Sequence, residues 1–168
     1  MTDQELTPPE AGTPPSAEAA DAPEADEFDR GLLETLLGYH LRRAGVFAFQ
    51  SFGATGPGHE GVSPGQLGVL LMVQANPGIN QTGAGRALGI DRSTLVSIID
   101  ALEDRGLIER TPSPTDRRSH ALLVTAKGDA FLKRIRPRLD AHEDELVRHL
   151  SAEERATLID LLRRIVSP

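Results

Sequence analysis

From Phe28 onward, apolar side chains recur at spacings of three and four: Leu32, Leu33, Leu36, Leu37, Leu41, Ala44 and Phe47, with His40 on the same stripe. That period predicts an amphipathic helix, which fades at Phe52 into the Gly-rich loop GATGPGHEG (53–61). A second helix announces its start. Ser63 and Gln66 form a capping box around Pro64, Leu67, Leu70, Leu71 and Gln74 continue the helix, and Asn76-Pro77-Gly78 stops it. A short helix is expected from about Asn80 to Leu88, with Gly89 as a left-handed C-cap. Asp91 then caps DRSTLVSIIDALEDRG (91–106), whose apolar positions Leu95, Ile98, Ile99 and Leu102 make one narrow stripe. Two short helices joined through a Gly-containing turn read as a helix-turn-helix.

The period then changes. The short runs LIERT (107–111) and HALLVT (120–125) flank TPSPTDRRSH (111–120) and predict a β-hairpin. Thr125 caps a long helical region through His149, in which Pro137 predicts a kink or break near Arg136. A last helix opens with the capping box Ser151-x-x-Glu154 and runs to about Ile165. Its apolar residues Leu158, Ile159, Leu161, Leu162, Ile165 and Val166 cover more than one face, which suggests burial against a partner chain as well as its own core. The expected fold is mainly α with a small β-hairpin.

Charge changes the picture once it is divided along the chain. Net charge is −7, yet residues 1–29 alone carry nine Asp/Glu and no Lys/Arg. The remainder holds 18 Lys/Arg against 16 Asp/Glu and is slightly basic, so nucleic acid stays open as a partner. Residues 1–28 are rich in Pro, Ala, Glu and Asp and bury too little apolar surface to offset the entropy of ordering. They read as a disordered acidic tail, either a solubilising segment or one that competes with DNA for a basic surface. With no Cys, disulfides and thiolate metal sites are excluded. No apolar run is long enough for a membrane span, and the N-terminus lacks the order of a secretory signal, so the expectation is cytoplasmic.

The ordered set DRSTLVSIIDALEDRGLIER (91–110), the hairpin-tip DRR (116–118) and LLVTAKG (122–128), with the flanking helices, resembles the MarR family of transcriptional regulators. The resemblance covers about residues 30–166. It implies a winged helix-turn-helix (63–125) within a domain over 29–168, carried by N- and C-terminal dimerisation helices (29–52 and 126–166). It also implies a homodimer that binds palindromic double-stranded DNA, usually as a repressor, and releases it when a small molecule binds. No cofactor, metal or catalytic residue is implied.

On helix 91–106, Ser93, Ser97, Asp100 and Asp104 lie opposite the apolar stripe, with Arg92, Thr94 and Val96 on the flanks. The N-terminal half of such a face is the part set against base edges, where Ser and Thr hydrogen-bond and Val96 meets a thymine methyl. Asp100 and Asp104 are expected to point away from phosphate or to brace arginines. Gln81, Thr82 and Arg86 at the preceding helix are expected backbone anchors, with Lys127 a weaker one. At the wing tip, Arg117 and Arg118 suit a narrow minor groove, and Pro112 and Pro114 stiffen the loop. In the family an acidic residue at the position of Asp116 pairs with an arginine and fixes the wing. Many members carry a basic residue where this chain has Ser97, and often another at Ala101, so guanine reading here is weaker or the wing carries more. A dimeric binding module of the same fold without operator recognition therefore remains the alternative.

The dimer interface is expected at Leu32, Leu36, Leu150, Leu158, Leu161, Leu162 and Ile165. Tyr39, His40, Phe47, Phe49 and Phe52 concentrate the aromatic side chains on the first helix, with Arg42 and Arg43 among them. These are core residues or an effector pocket of Tyr39, His40, Arg42, Arg43, Phe47, Phe52 and Met72. In the family, such ligands are aromatic carboxylates or aromatic acyl-CoA thioesters, and Lys133, Arg134, Arg136 and Arg138 would suit the larger polyanion. GAGRALG (83–89) approaches a dinucleotide fingerprint but lacks the preceding strand, and His59-Glu60 has no second His. Nothing in the sequence argues for an enzyme.

Overall fold

The computed structural model describes residues 28–112 and 120–166. The acidic tail and the wing tip 113–119 lie outside them. The order is α1 (Leu37–Ala54), α2 (Pro64–Ala75), α3 (Gln81–Leu88), α4 (Arg92–Asp104), the hairpin β1 (Ile108–Pro112) and β2 (His120–Val124), then α5 (Ala126–Leu146) and α6 (Ala152–Val166). The fold is mainly α with a two-stranded antiparallel wing, as the periodicities predict.

The caps form where the residues call for them. Ser63 and Gln66 exchange both capping-box bonds, at 3.1 and 2.9 Å. Asn80 accepts from the Gly83 amide at 2.8 Å, and Gly89 closes α3 with φ 63°. Ser151 and Glu154 form the box that opens α6. The N-terminal motifs satisfy first-turn amides that have no intrahelical partner, and the Gly89 amide serves carbonyls of the last turn of α3.

Two expectations need correction. The helix read from Phe28 is divided: Gly31–Thr35 forms a 3₁₀ turn, Leu36 is extended, and α1 starts at Leu37. Asp29 accepts the Gly31 amide and the His40 ring meets the Glu34 carbonyl, so local polar bonds hold this corner against the helical period. Of the kink or break expected near Arg136, no break forms, and α5 runs continuously through Pro137 to Leu146. Proline deletes the one amide that would bond the Lys133 carbonyl, and Lys133 and Pro137 are both exposed, so water can serve that carbonyl.

The core lies under the helix-turn-helix. Val69, Leu70 and Val73 of α2, Ile99 and Leu102 of α4, Leu107, Ile108 and Leu122 of the wing, and Ile135 of α5 are almost wholly excluded from water. Ile108 pairs with Val124 and Pro112 with His120 along the hairpin. On its other edge, β2 exchanges bonds with the turn after α2: Gly78 donates to the Leu122 carbonyl and Leu122 to that of Ile79, both at 2.9 Å. The wing is thereby seated on the helices.

One junction joins wing, α4 and α5. The Thr125 hydroxyl donates to the Gly106 carbonyl at 2.7 Å while accepting from the Gly128 amide at 3.0 Å. A Cβ on Gly128 would stand 2.1 Å from the Leu107 carbonyl oxygen and 2.7 Å from Val124 Cγ1, so LLVTAKG needs its glycine for close approach rather than for backbone freedom. Gly128→Ala is expected to cost about 1–3 kcal/mol in urea unfolding. Gly53→Ala, on α1 with open space around it, should be neutral or stabilise by up to about 1 kcal/mol. Thr125→Ala, which removes both bonds, should cost about 1–2 kcal/mol in the same measurement.

Candidate nucleic-acid interface and effector cleft

Helices α3 and α4 pack closely because α3 presents Ala84 and Gly85 inward. A Cβ on Gly85 would meet Leu95 Cδ2 at 3.1 Å and the Ile90 carbonyl at 3.2 Å. GAG is thus a helix-packing motif. The two helices enclose a groove of about 340 Å³, lined by Gln81, Thr82, Arg86, Arg92 and Val96 over Gly85, Ile90 and Leu95. Arg92, Ser93, Thr94 and Ser97 stand exposed on α4, and Arg86 on α3.

At the head of α4, Asp91 accepts from the Ser93 hydroxyl at 2.6 Å and the Thr94 amide at 2.9 Å. The bond from Ser93, and then those from Thr94, hold the Asp91 carboxyl well below the usual carboxylate range. This fixed anion occupies the helix N-terminus, where a phosphate would otherwise sit. The hydroxyl of Ser97 donates back to the Ser93 carbonyl at 3.2 Å. Both serines have their protons engaged and present lone pairs outward.

Asp100 does brace an arginine. The Arg110 guanidinium of β1 bonds both Asp100 and Glu103, and the Arg110 amide adds a bond to Glu103 at 3.3 Å. Partial burial opposes the charge on Arg110, but the two carboxylates outweigh it and hold the guanidinium above its ordinary range. Two acidic residues of α4 are thus neutralised from the wing. Asp104 is exposed at the far end of the helix. Lys127 donates to the Arg105 carbonyl at 2.5 Å. Asp116, Arg117, Arg118 and Pro114 lie outside the described residues.

A separate cleft of about 420 Å³ opens where α1, α2 and α5 meet. Phe49 and Phe52 of α1, Leu67, Gly68 and Leu71 of α2, and Leu139, His142, Glu143 and Leu146 of α5 line it. A neighbouring hollow of about 490 Å³ between α1 and α5 is lined by Phe47, Ser51 and Glu145, and shares His142. Phe47 and Phe52 therefore reach these spaces. Tyr39, His40, Arg42 and Arg43 cluster on the outer part of α1, both guanidiniums lying 5.8 Å from the Tyr39 ring centre, and line neither. Met72 lines neither as well, and its sulfur accepts from Asn76 at 3.3 Å. Arg134 and Arg138 face Glu60, and Arg136 pairs with Asp140.

Sequence reasoning passed over His142, the one buried polar side chain among the described residues. Its Nδ1 meets the Ser51 hydroxyl at 3.1 Å, and its ring stands edge-on to Phe52 at 5.5 Å. The available signal was an imidazole on the apolar stripe of α5, at Ile135 plus seven.

A third surface is apolar and uncovered. Among the described residues of α6 none is buried, and Leu158, Leu161, Leu162 and Ile165 stay exposed, with Leu150 just before. Leu32 and Leu36 ahead of α1 are likewise exposed, Leu32 at 74%. Apolar area on this scale marks an interface. Arg155 ties α6 to Glu143 of α5 at 3.3 Å.

Comparison with known proteins agrees with this layout. Residues 60–119 match the MarR family. The chain is 40% identical to a Thauera aromatica protein called transcriptional regulatory protein for hcr operon, over 83% of this chain and 84% of that one. Its fold is similar to that of the transcriptional repressor CouR bound to a 23-mer DNA duplex, with a TM-score of 0.78, 42% identity and coverage of 83% and 99% of the two chains. It is also similar to CouR bound to p-coumaroyl-CoA, with a TM-score of 0.73, 40% identity and coverage of 82% and 96%. With the helix-turn-helix, the seated wing and the flanking helices all in place, the chain belongs to the MarR family of transcriptional regulators.

Proposed function

We propose that this regulator is a homodimeric repressor. It binds a palindromic operator through α3, α4 and the wing, and an aromatic carboxylate or aromatic acyl-CoA in the α1–α2–α5 cleft releases it. The observation that carries the reading is the groove between α3 and α4, where Gln81, Thr82, Arg86, Arg92 and Val96 share one open face. On DNA, Gln81, Thr82 and Arg86 anchor phosphates, and Arg92, Ser93, Thr94, Val96 and Ser97 face the bases. Arg117 and Arg118 enter the minor groove, with Asp116 holding the wing. The dimer forms through Leu32, Leu36, Leu150, Leu158, Leu161, Leu162 and Ile165, whose exposure in the single chain supports it. The likeness to CouR, seen both with DNA and with p-coumaroyl-CoA, supports the two ligand classes.

A gel shift on DNA upstream of its own gene tests the reading. Ligand-free protein should retard that DNA at low salt, with affinity falling as salt rises. No retardation would leave the binding-module alternative standing. Arg118→Ala should weaken binding several-fold and leave the dimer intact by light scattering. Leu162→Asp should instead yield monomers and reduce operator affinity by roughly tenfold or more, because two half-sites are no longer engaged together.

A further inference from the structure

Residues 55–61, between α1 and α2, touch the cleft at one end and α4 at the other. The first of them lie on the cleft wall. The Thr55 and Gly56 amides both donate to the Ser51 carbonyl, at 3.0 and 3.2 Å, and the Ser51 hydroxyl meets His142 Nδ1. A Cβ on Gly56 would stand 3.0 Å from the Phe52 carbonyl oxygen and 3.2 Å from His142 Cγ. One on Gly58 would stand 2.6 Å from that same oxygen. The segment is therefore packed against Phe52 and His142 without slack.

Its last residues are held by the far end of α4. Arg105, the C-cap of that helix, donates from its guanidinium to the Gly61 carbonyl at 2.6 Å and to the Glu60 carbonyl at 3.1 Å. The Glu60 carboxylate faces Arg134 and Arg138 of α5. The Arg105 guanidinium also lies 5.3 Å from the ring centre of Phe131, which Arg134 approaches to 5.2 Å. A planar charged donor on two adjacent carbonyls fixes direction as well as distance, and it is a stronger link than a neutral bond. Arg105 does not line the α3–α4 groove. Its bonds join α4 to the cleft wall by a few residues of tightly packed chain.

We infer that Arg105 is the positioning residue through which occupancy of the cleft reaches α4. A ligand pressing on Phe52 and His142 displaces the segment behind them, and the paired bonds to Glu60 and Gly61 pull the C-terminal end of α4 with it. The inference rests on the cleft being the effector site and on α4 facing the operator.

The test measures operator affinity of the full chain by fluorescence anisotropy, with and without saturating p-coumaroyl-CoA as the probe, in wild type, Arg105→Gln and Arg105→Lys. The ratio of the two affinities is the coupling between the sites. In Arg105→Gln this ratio should fall by roughly threefold or more, while ligand-free operator affinity and DNA-free probe affinity each stay within about twofold. Arg105→Lys keeps one charged donor and should lie between. Hydrogen exchange at the Thr55 and Gly56 amides gives a second reading that needs no ligand. Operator binding should change it in the wild type and leave it unchanged in Arg105→Gln. Coupling retained in full by Arg105→Gln would overturn the assignment, as would a loss of ligand-free operator affinity as large as the loss of coupling. So would exchange at Thr55 and Gly56 that responds to operator equally in both proteins, or in neither. If the probe fails to weaken operator binding by the wild type, the effector reading falls and the exchange measurement still decides the role of Arg105. Failure of the wild type to bind operator would remove the DNA reading and this inference with it.

Discussion

The close approach of α5 to the turn after α4 is the constraint on which the rest of the molecule depends. Gly128 lies against the Leu107 carbonyl with no room for a Cβ, and Thr125 bonds the last turn of α4 from the other side. The end of the DNA-facing helix, the first residues of the wing and the first turn of α5 therefore meet at one point. From there α5 runs to His142, where it meets α1 and α2. In the proposed mechanism, a change of spacing at the cleft would be carried along a helix that is clamped to the end of α4.

Electrostatics divides the work within the DNA-facing lobe. The head of α4 is occupied by its own aspartate, and its middle presents Ser97 and Ala101, neither of them basic. The carboxylates of Asp100 and Glu103 are cancelled by Arg110 from β1. The helix thus presents hydrogen-bonding groups more than charge, while Arg92 at its near end and Arg86 on α3 supply cations. In the proposed complex this shifts much of the phosphate attraction to the wing. The apolar surface of α6 is different in kind. Among the described residues nothing covers Leu158, Leu161, Leu162 and Ile165, an apolar area of the kind that marks an interaction surface.

The helix ends, the helix-turn-helix and the wing were legible in the sequence because their signals are local. A cap such as Ser63 with Gln66, Asn80 with Gly83 or Thr125 with Gly128 acts within three residues, so the same residues determine it in any surroundings. The apolar stripe of α4 was equally plain, and Leu95, Ile99 and Leu102 are buried. The exposed strip of α6 was visible as a stripe too wide for one neighbour.

What only the tertiary structure decided lies at longer range. The aromatic side chains crowd one stretch of α1, but which of them face a cavity depends on where α5 crosses. Phe52 meets His142 across ninety residues of chain, while Tyr39 and its two arginines are left outside. α5 continues through Pro137 on an exposed stretch of the helix, where the Lys133 carbonyl can do without the missing amide. The break at Leu36 was decided by polar bonds that compete with the helical period. The pairing of Arg110 with Asp100 needed strand and helix side by side. Local hydrogen bonding and periodicity settle what each segment becomes, and packing settles which side chains come to share a space.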